Sequence, residues 1–341
     1  MNTAAMLPVG HDRDRHCDLT GTVALLTGGS RGVGRLLAAR LAQAGAVVGL
    51  VARSADELAA AVEEIKRAGG TAAAAAADVT DQRAAAAAVA ELRDRLGPAD
   101  VLVNNAGVSG PAGPMWDADP AQWWHTFEVN VLGTLALTRL ALPDMIAARR
   151  GRVINVTSHA GVYRWPLMSA YAASKAALVK LTETLAEETR PHGVSVFSVD
   201  PGLLPIGLTE TALRTVTEPG TPEARVQDWM RDRLAAGHGA DPDQAASLTV
   251  ALASGRADRL SGRHLTVADD LEALLSRIDR IERDDLHTLR LRTGACGPGP
   301  DQSERDRLAE DKQDVGIEQQ PVTRLPRDIL PRAAGEGVRR A

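Results

Sequence analysis

Cysteine is nearly missing from this chain. Cys17 and Cys296 are the two in 341 residues, and both lie in weakly patterned stretches. Neither a disulfide framework nor a zinc cage can be built from them. The eight histidines show no paired ligand spacing, so no metal is expected. No run approaches the roughly 20 apolar residues that a membrane span needs. Residues 1–17 lack the apolar stretch of a signal peptide. Positive charge is not in excess either: 39 Lys and Arg against 44 Asp and Glu give a net charge of −5, which speaks against a nucleic-acid surface. Aromatic residues make up 3% of the chain, and only Tyr163 and Tyr171 are tyrosines. The expectation is a soluble cytoplasmic protein with neither membrane nor nucleic acid as partner. Its 44% hydrophobic and 24% charged residues are ordinary for a globular fold.

Residues 1–18 are polar and read as a flexible extension. From Gly21 short apolar runs alternate with longer segments of helical periodicity. The runs cover 22–27, 47–51, 101–103, 153–157 and 194–199. They predict parallel strands covered by helices on both faces, a doubly wound Rossmann-type α/β sheet in one domain over 19–293. Segment 71–77 is almost all alanine, a helix former by propensity. Its place after Gly69-Gly70 and before Asp78 assigns it to a strand instead. Residues 264–267 are expected as the last strand. Leu271, Leu274, Leu275, Ile278 and Ile281 then predict one terminal amphipathic helix. Segment 294–341 has no aromatic residue, five prolines, and nine acidic against eight basic side chains. It is predicted to be a disordered tail.

Thr27-Gly28-Gly29-Ser30-Arg31-Gly32-Val33-Gly34 follows the first run and opens a helix reaching about residue 44. Gly28 permits a turn that a Cβ would obstruct, Gly32 lets the backbone approach a pyrophosphate, and Gly34 allows close helix packing. Ser30, Arg31 and Val33 complete a turn whose helix N-terminus suits that charge. NAD-specific folds place an Asp or Glu after the second strand to bond the ribose 2′-OH. Here the chain reads Ala52-Arg53-Ser54. The missing acid, with Arg53 and Arg31 in place to meet a 2′-phosphate, predicts NADP(H) over NAD(H).

Tyr171 and Lys175, four residues apart in a helical stretch, share one helix face. An ammonium near a phenol favours the phenolate and is expected to lower the tyrosine pKa below about 10. Such a tyrosine exchanges a proton with an alcohol or carbonyl. Ser158, thirteen residues earlier, can hydrogen-bond the reacting oxygen.

In motif order and spacing the chain resembles the short-chain dehydrogenase/reductase superfamily, in its shorter single-domain branch with T-G-x-x-x-G-x-G and Y-x-x-x-K. The resemblance runs from about Leu19 to Leu291. It implies that Tyr171 is the acid/base, Lys175 its electrostatic partner and ribose anchor, and Ser158 the oxygen stabiliser. Asn130, in Glu128-Val129-Asn130-Val131, corresponds to a residue holding a water in the proton relay. Asp78-Val79 matches the pair at the adenine. Asn105, Ala106 and Gly107 of the N-N-A-G match run along the ribose, and Pro201-Gly202 lies beside the nicotinamide. Five residues past that proline the family usually has a threonine. Here Ile206 stands there and offers only its backbone N–H. Segment 207–239 falls where relatives carry a mobile substrate lid, with Trp116, Trp165, Met168 and Leu203 as candidate pocket neighbours. The resemblance implies an NADP(H)-dependent ketone or 3-oxoacyl-type reductase acting on a small carbonyl or alcohol substrate. It also implies a homotetramer or homodimer built partly on the helices with Asn130 and Tyr171. A non-catalytic NADP(H)-sensing regulator on the same fold is the alternative, and retention of Tyr171 and Lys175 argues against it.

Overall fold

The apolar runs become strands because helices bury them from both sides. β1 (Val23–Thr27), β2 (Val47–Ala52), β4 (Val101–Asn104), β5 (Gly151–Val156) and β6 (Val194–Asp200) are buried along nearly all of their length. Continuous rather than alternating apolar sequence is what two covered faces require. With β3 (Thr71–Ala76) and β7 (His264–Thr266) they form a seven-stranded parallel sheet in the order β3-β2-β1-β4-β5-β6-β7. This computed structural model describes residues 17–291, so the expected tail 294–341 and all but the end of the N-terminal extension lie outside the described residues.

Strand order reverses at β1, which pairs with β2 on one side and β4 on the other, Leu25 standing opposite both Gly49 and Leu102. The chain leaves the two carboxyl ends in opposite directions there, which opens a crevice above them. β3 is the alanine segment. It pairs with β2 from Val47↔Thr71 to Ala52↔Ala76, so tertiary pairing overrides helix propensity.

On one face α1 (Gly32–Gln43), α2 (Ala55–Arg67) and α9 (Pro242–Ala253) bury Leu37, Leu41, Ile65 and Leu252 against Val48, Leu50, Ile154 and Phe197. On the other, α3 (Gln82–Leu96) and α5 (Gly133–Ala148) bury Leu92, Leu137 and Met145 against Leu25, Leu102 and Val153.

One helix was not foreseen and one expectation is corrected. α4 (Pro120–Phe127) passes through a π turn, Glu128–Leu132, directly into α5. The resulting 29-residue helix is, among the described residues, the one long and apolar enough to cross a membrane by length and composition. Glu128, Arg139 and Asp144 interrupt it, so it does not read as an apolar run, and Leu137, Ala141 and Met145 bury part of it in the core. The terminal helix is two pieces, α10 (Leu271–Leu275) and α11 (Ile278–Arg283), which still bury Leu274, Ile278 and Ile281.

Candidate active site

A cleft of about 450 Å³ occupies the crevice over β1 and β4, within the size of ordinary small-molecule sites. It gathers Gly28, Ser30, Arg31, Val33, Gly34, Arg53, Asp78, Val79, Asn105, Ala106, Gly107, Tyr171, Lys175, Pro201, Gly202 and Ile206. Gly32 is the one expected cofactor residue that does not line it. Its φ is +53°, and a Cβ there would stand 2.5 Å from Gly207 Cα. Gly32 therefore admits the backbone of the loop after β6, whose Gly207 lines the same cleft.

The turn fits a dinucleotide phosphate. α1 follows Arg31, which gives it no side-chain cap, and has no acidic residue in its first turn, so its N-terminal N–H groups favour an anion. A Cβ on Gly34 would lie 2.1 Å from the Gly28 carbonyl oxygen, which only glycine avoids. Thr27 Oγ1 accepts the N–H groups of Asn105 and Ala106 at 3.0 and 3.1 Å, tying the ends of β1 and β4 together. Asn104 donates to Thr138 Oγ1 and Asn155 Oδ1 at 3.0 and 2.9 Å, bracing the sheet centre below.

At the other end of the cleft Arg53, 69% exposed, lies 3.9 Å from Asp78. Burial works to raise the Asp78 pKa, but hydrogen bonds from Thr80 and the charge of Arg53 outweigh it, and the carboxyl is held below its ordinary value. Asp81 caps α3, so Asp78 is left for the cleft. Glu57 also lines this end, accepting the Ser30 hydroxyl at 2.8 Å. Sequence reasoning missed it, although Ser54-Ala55-Asp56-Glu57 has the spacing of a capping box and Ser54 does accept the Glu57 N–H.

Tyr171 and Lys175 project from α6 (Ser169–Thr189) onto the cleft floor. Lys175 is 4% exposed. Its Nζ donates to the Val156 carbonyl at 2.8 Å and stands 5.7 Å from the Tyr171 ring centroid. Burial pulls its pKa down to about 8, against the opposing pull of the Asp200 carboxylate. Tyr171 is pushed up to about 12 by burial; a hydrogen bond with Ser158 opposes this and Asp200 adds to it. The expected lowering of the tyrosine pKa is thus absent. Desolvation of the phenolate outweighs an ammonium that is engaged with a carbonyl. Tyr171 is consequently protonated at neutral pH, the form that donates a proton.

Ser158 follows β5 and caps the short turn His159–Gly161, its Oγ accepting the Ala160 N–H at 3.2 Å. Asn130 sits in the π turn, fully buried. Its Oδ1 accepts the Val108 N–H at 2.8 Å, and its Nδ2 donates to Val108 O and Ser174 Oγ at 3.0 and 2.9 Å. Both N–H donors and the oxygen have protein partners, so the side chain positions the loop after β4 against α6. Asp200, 5% exposed, is a second residue the sequence did not single out. Its Oδ1 accepts the Gly202 N–H at 2.9 Å, and its Oδ2 is 3.9 Å from His159 Nδ1.

Residues 22–216 match the short chain dehydrogenase family. The chain belongs to that family. It is 37% identical over 268 residues to a short chain dehydrogenase of Pseudocercospora fijiensis, covering 77% of this chain and 85% of the relative. It is 31% identical over 249 residues to the gluconate 5-dehydrogenase of Gluconobacter oxydans, covering 73% and 94%. Actinorhodin polyketide ketoreductase, crystallised as a variant with NADPH, superposes with a TM-score of 0.66 at 28% identity, over 72% of this chain and 95% of that one. Short chain dehydrogenases use NAD or NADP, and this one is an oxidoreductase of the class acting on CH–OH and carbonyl groups.

In this short chain dehydrogenase the loop after β6 lays Ile206 against the cleft, where it has no hydroxyl to offer. Thr209, three residues on and buried, lines the same cleft. Thr209→Val is expected to raise the Kd of the nicotinamide cofactor roughly two- to tenfold, the worth of one neutral hydrogen bond of about 0.5–1.5 kcal/mol. Fluorescence titration reads this directly, and an unchanged Kd would show that the hydroxyl makes no cofactor contact.

Proposed function

We propose that the protein is an NADPH-dependent reductase of a ketone or 3-oxoacyl-type carbonyl, in the balance ketone + NADPH + H⁺ → alcohol + NADP⁺. The observation that carries this reading is the half-buried Tyr171 lining the cleft, with the Lys175 ammonium 5.7 Å from its ring centroid and burial holding the phenol in its protonated form. When bound, the cofactor supplies a hydride from its nicotinamide ring. Gly28, Ser30, Val33 and Gly34 with the α1 N-terminus hold the phosphates. Asp78 and Val79 meet the adenine, Asn105, Ala106, Gly107 and Lys175 the ribose, and Pro201, Gly202 and Ile206 the nicotinamide side. Tyr171 gives its phenolic proton to the carbonyl oxygen, which also accepts the Ser158 hydroxyl. The Lys175 ammonium stabilises the phenolate left behind.

Cofactor choice rests on Arg53 and Arg31, which line the cleft beyond β2, set against the Glu57 carboxylate bound to Ser30. A charge-assisted bond of about 1.5–3 kcal/mol to a 2′-phosphate makes Arg53→Ala expected to weaken NADPH binding by roughly ten- to a hundredfold, with NADH little changed. The effect should shrink at high salt. Equal affinity of the unaltered protein for NADH and NADPH would defeat this reading.

A homotetramer or homodimer belongs to the same proposal. Trp124, 57% exposed, and Leu135, 40% exposed, lie on the long helix with Asn130 and support it. Light scattering from a monomer-sized particle would overturn it.

A further inference from the structure

Tyr171 is the one residue shared by the cofactor cleft and a separate apolar cluster to which the segment after β6 contributes Ala212, Leu213, Val226 and Met230. Trp165 stands edge-on to Tyr171, ring centroids 6.0 Å apart at 76°, and tilted against Trp229 at 5.3 Å. Met168, Leu203, Leu213 and Met230 pack around them. The chain has nine aromatic residues, five of them Trp, and three of the nine meet at this point.

α8 (Pro222–Ala235) brings Val226, Trp229 and Met230, which share one helix face by their spacing. The same helix is anchored elsewhere through buried Gln227, which donates to the carbonyls of Ala212 and Thr215. Arg231 is engaged by Asp228 and Gln227, and Arg214 by Glu210. The apolar side chains packed with the reactive phenol are thus rings, branched aliphatics and thioethers. Trp229 is 44% exposed on its helix, so the space it fills against Trp165 can be taken by another ring.

Resting on the carbonyl-reductase reading, we propose that the substrate is a bulky planar ketone, aryl or fused-bicyclic, whose ring replaces the Trp229 indole against Trp165. An aromatic face meets Trp165 in the offset or edge-on geometries that rings prefer, and Met168 and Met230 adapt to its outline. A polyhydroxylated ketone would leave its hydroxyls unpaired on such a wall. A slender acyl chain would leave the indole face uncovered.

The test uses the full-length protein with NADPH and three probes: 2-tetralone, dihydroxyacetone, and an acetoacetyl thioester of N-acetylcysteamine. NADPH oxidation is expected to show kcat/KM for 2-tetralone at least about tenfold above either other probe. Trp165→Ala should cut that value by about tenfold or more, chiefly through KM, with NADPH affinity unchanged. Trp165→Phe, which keeps a ring, should recover most of it and guards against a folding defect. Equal or faster turnover of dihydroxyacetone or the thioester would overturn the substrate class while leaving the reductase reading intact. So would a probe preference that survives Trp165→Ala. Absence of NADPH oxidation with all three probes would overturn both.

Discussion

Tyr171→Phe is expected to lower kcat for carbonyl reduction by roughly 10²–10⁴-fold, the usual worth of a general acid, while NADPH affinity stays nearly the same. The substitution removes one oxygen from a residue that is otherwise packed against Trp165 and Lys175, so the fold and the cleft remain. With a pKa near 12 the phenol is protonated across the physiological range. The loss should therefore be independent of pH up to about 8, where Lys175 begins to lose its proton. Single-turnover measurement with bound NADPH separates it from any effect on binding. Turnover at the unaltered rate would remove Tyr171 from the chemistry.

Lys175→Met is expected to separate activity from stability. Turnover should fall roughly 10²–10³-fold, the range for losing a preorganised electrostatic group, while the melting temperature at pH 7 does not fall. The ammonium is buried, and its pKa drops from 10.5 in the free side chain to about 8 in the fold. Between those two values the unfolded chain binds more protons than the folded one, so stability of the unaltered protein rises with pH through that window. Below it the folded chain carries the full cost of the buried charge, of the order of 3 kcal/mol at about 1.4 kcal/mol per pKa unit. Methionine removes that cost but leaves the Val156 carbonyl without its donor. The stability advantage of the variant should be largest near pH 7 and shrink towards pH 10. In the unaltered enzyme the reduction rate should decline as pH rises through about 8, where the ammonium loses its proton. A variant that melts lower at pH 7 and keeps its rate would contradict both halves.

How much of this was legible beforehand differs from element to element. Most strands were legible because burial on both faces demands unbroken apolar sequence, and β1, β2, β4, β5 and β6 fall where the five runs do. The glycine turn and the Tyr171–Lys175 pair were legible because each is local: one turn, one helix face. β3 was a matter of position, since alanine by itself favours helix and only its pairing with β2 makes it a strand. The break between α10 and α11 and the single long helix through the π turn left no periodic signal, because apolar spacing does not record backbone hydrogen bonding.

The sequence by itself determined the layered fold, the order of its motifs and the identity of the side chains at the cleft floor, since these follow from composition and short-range spacing. Tertiary structure alone decided what those side chains experience. Desolvation moved Tyr171 up and Lys175 down, two backbone segments 175 residues apart met at Gly32 and Gly207, and Glu57 arrived beside Ser30 from the next helix. It also carried the indole of Trp229 across 64 positions of chain to Trp165. Burial and long-range contact are properties of the packed chain, and no local pattern of residues encodes them.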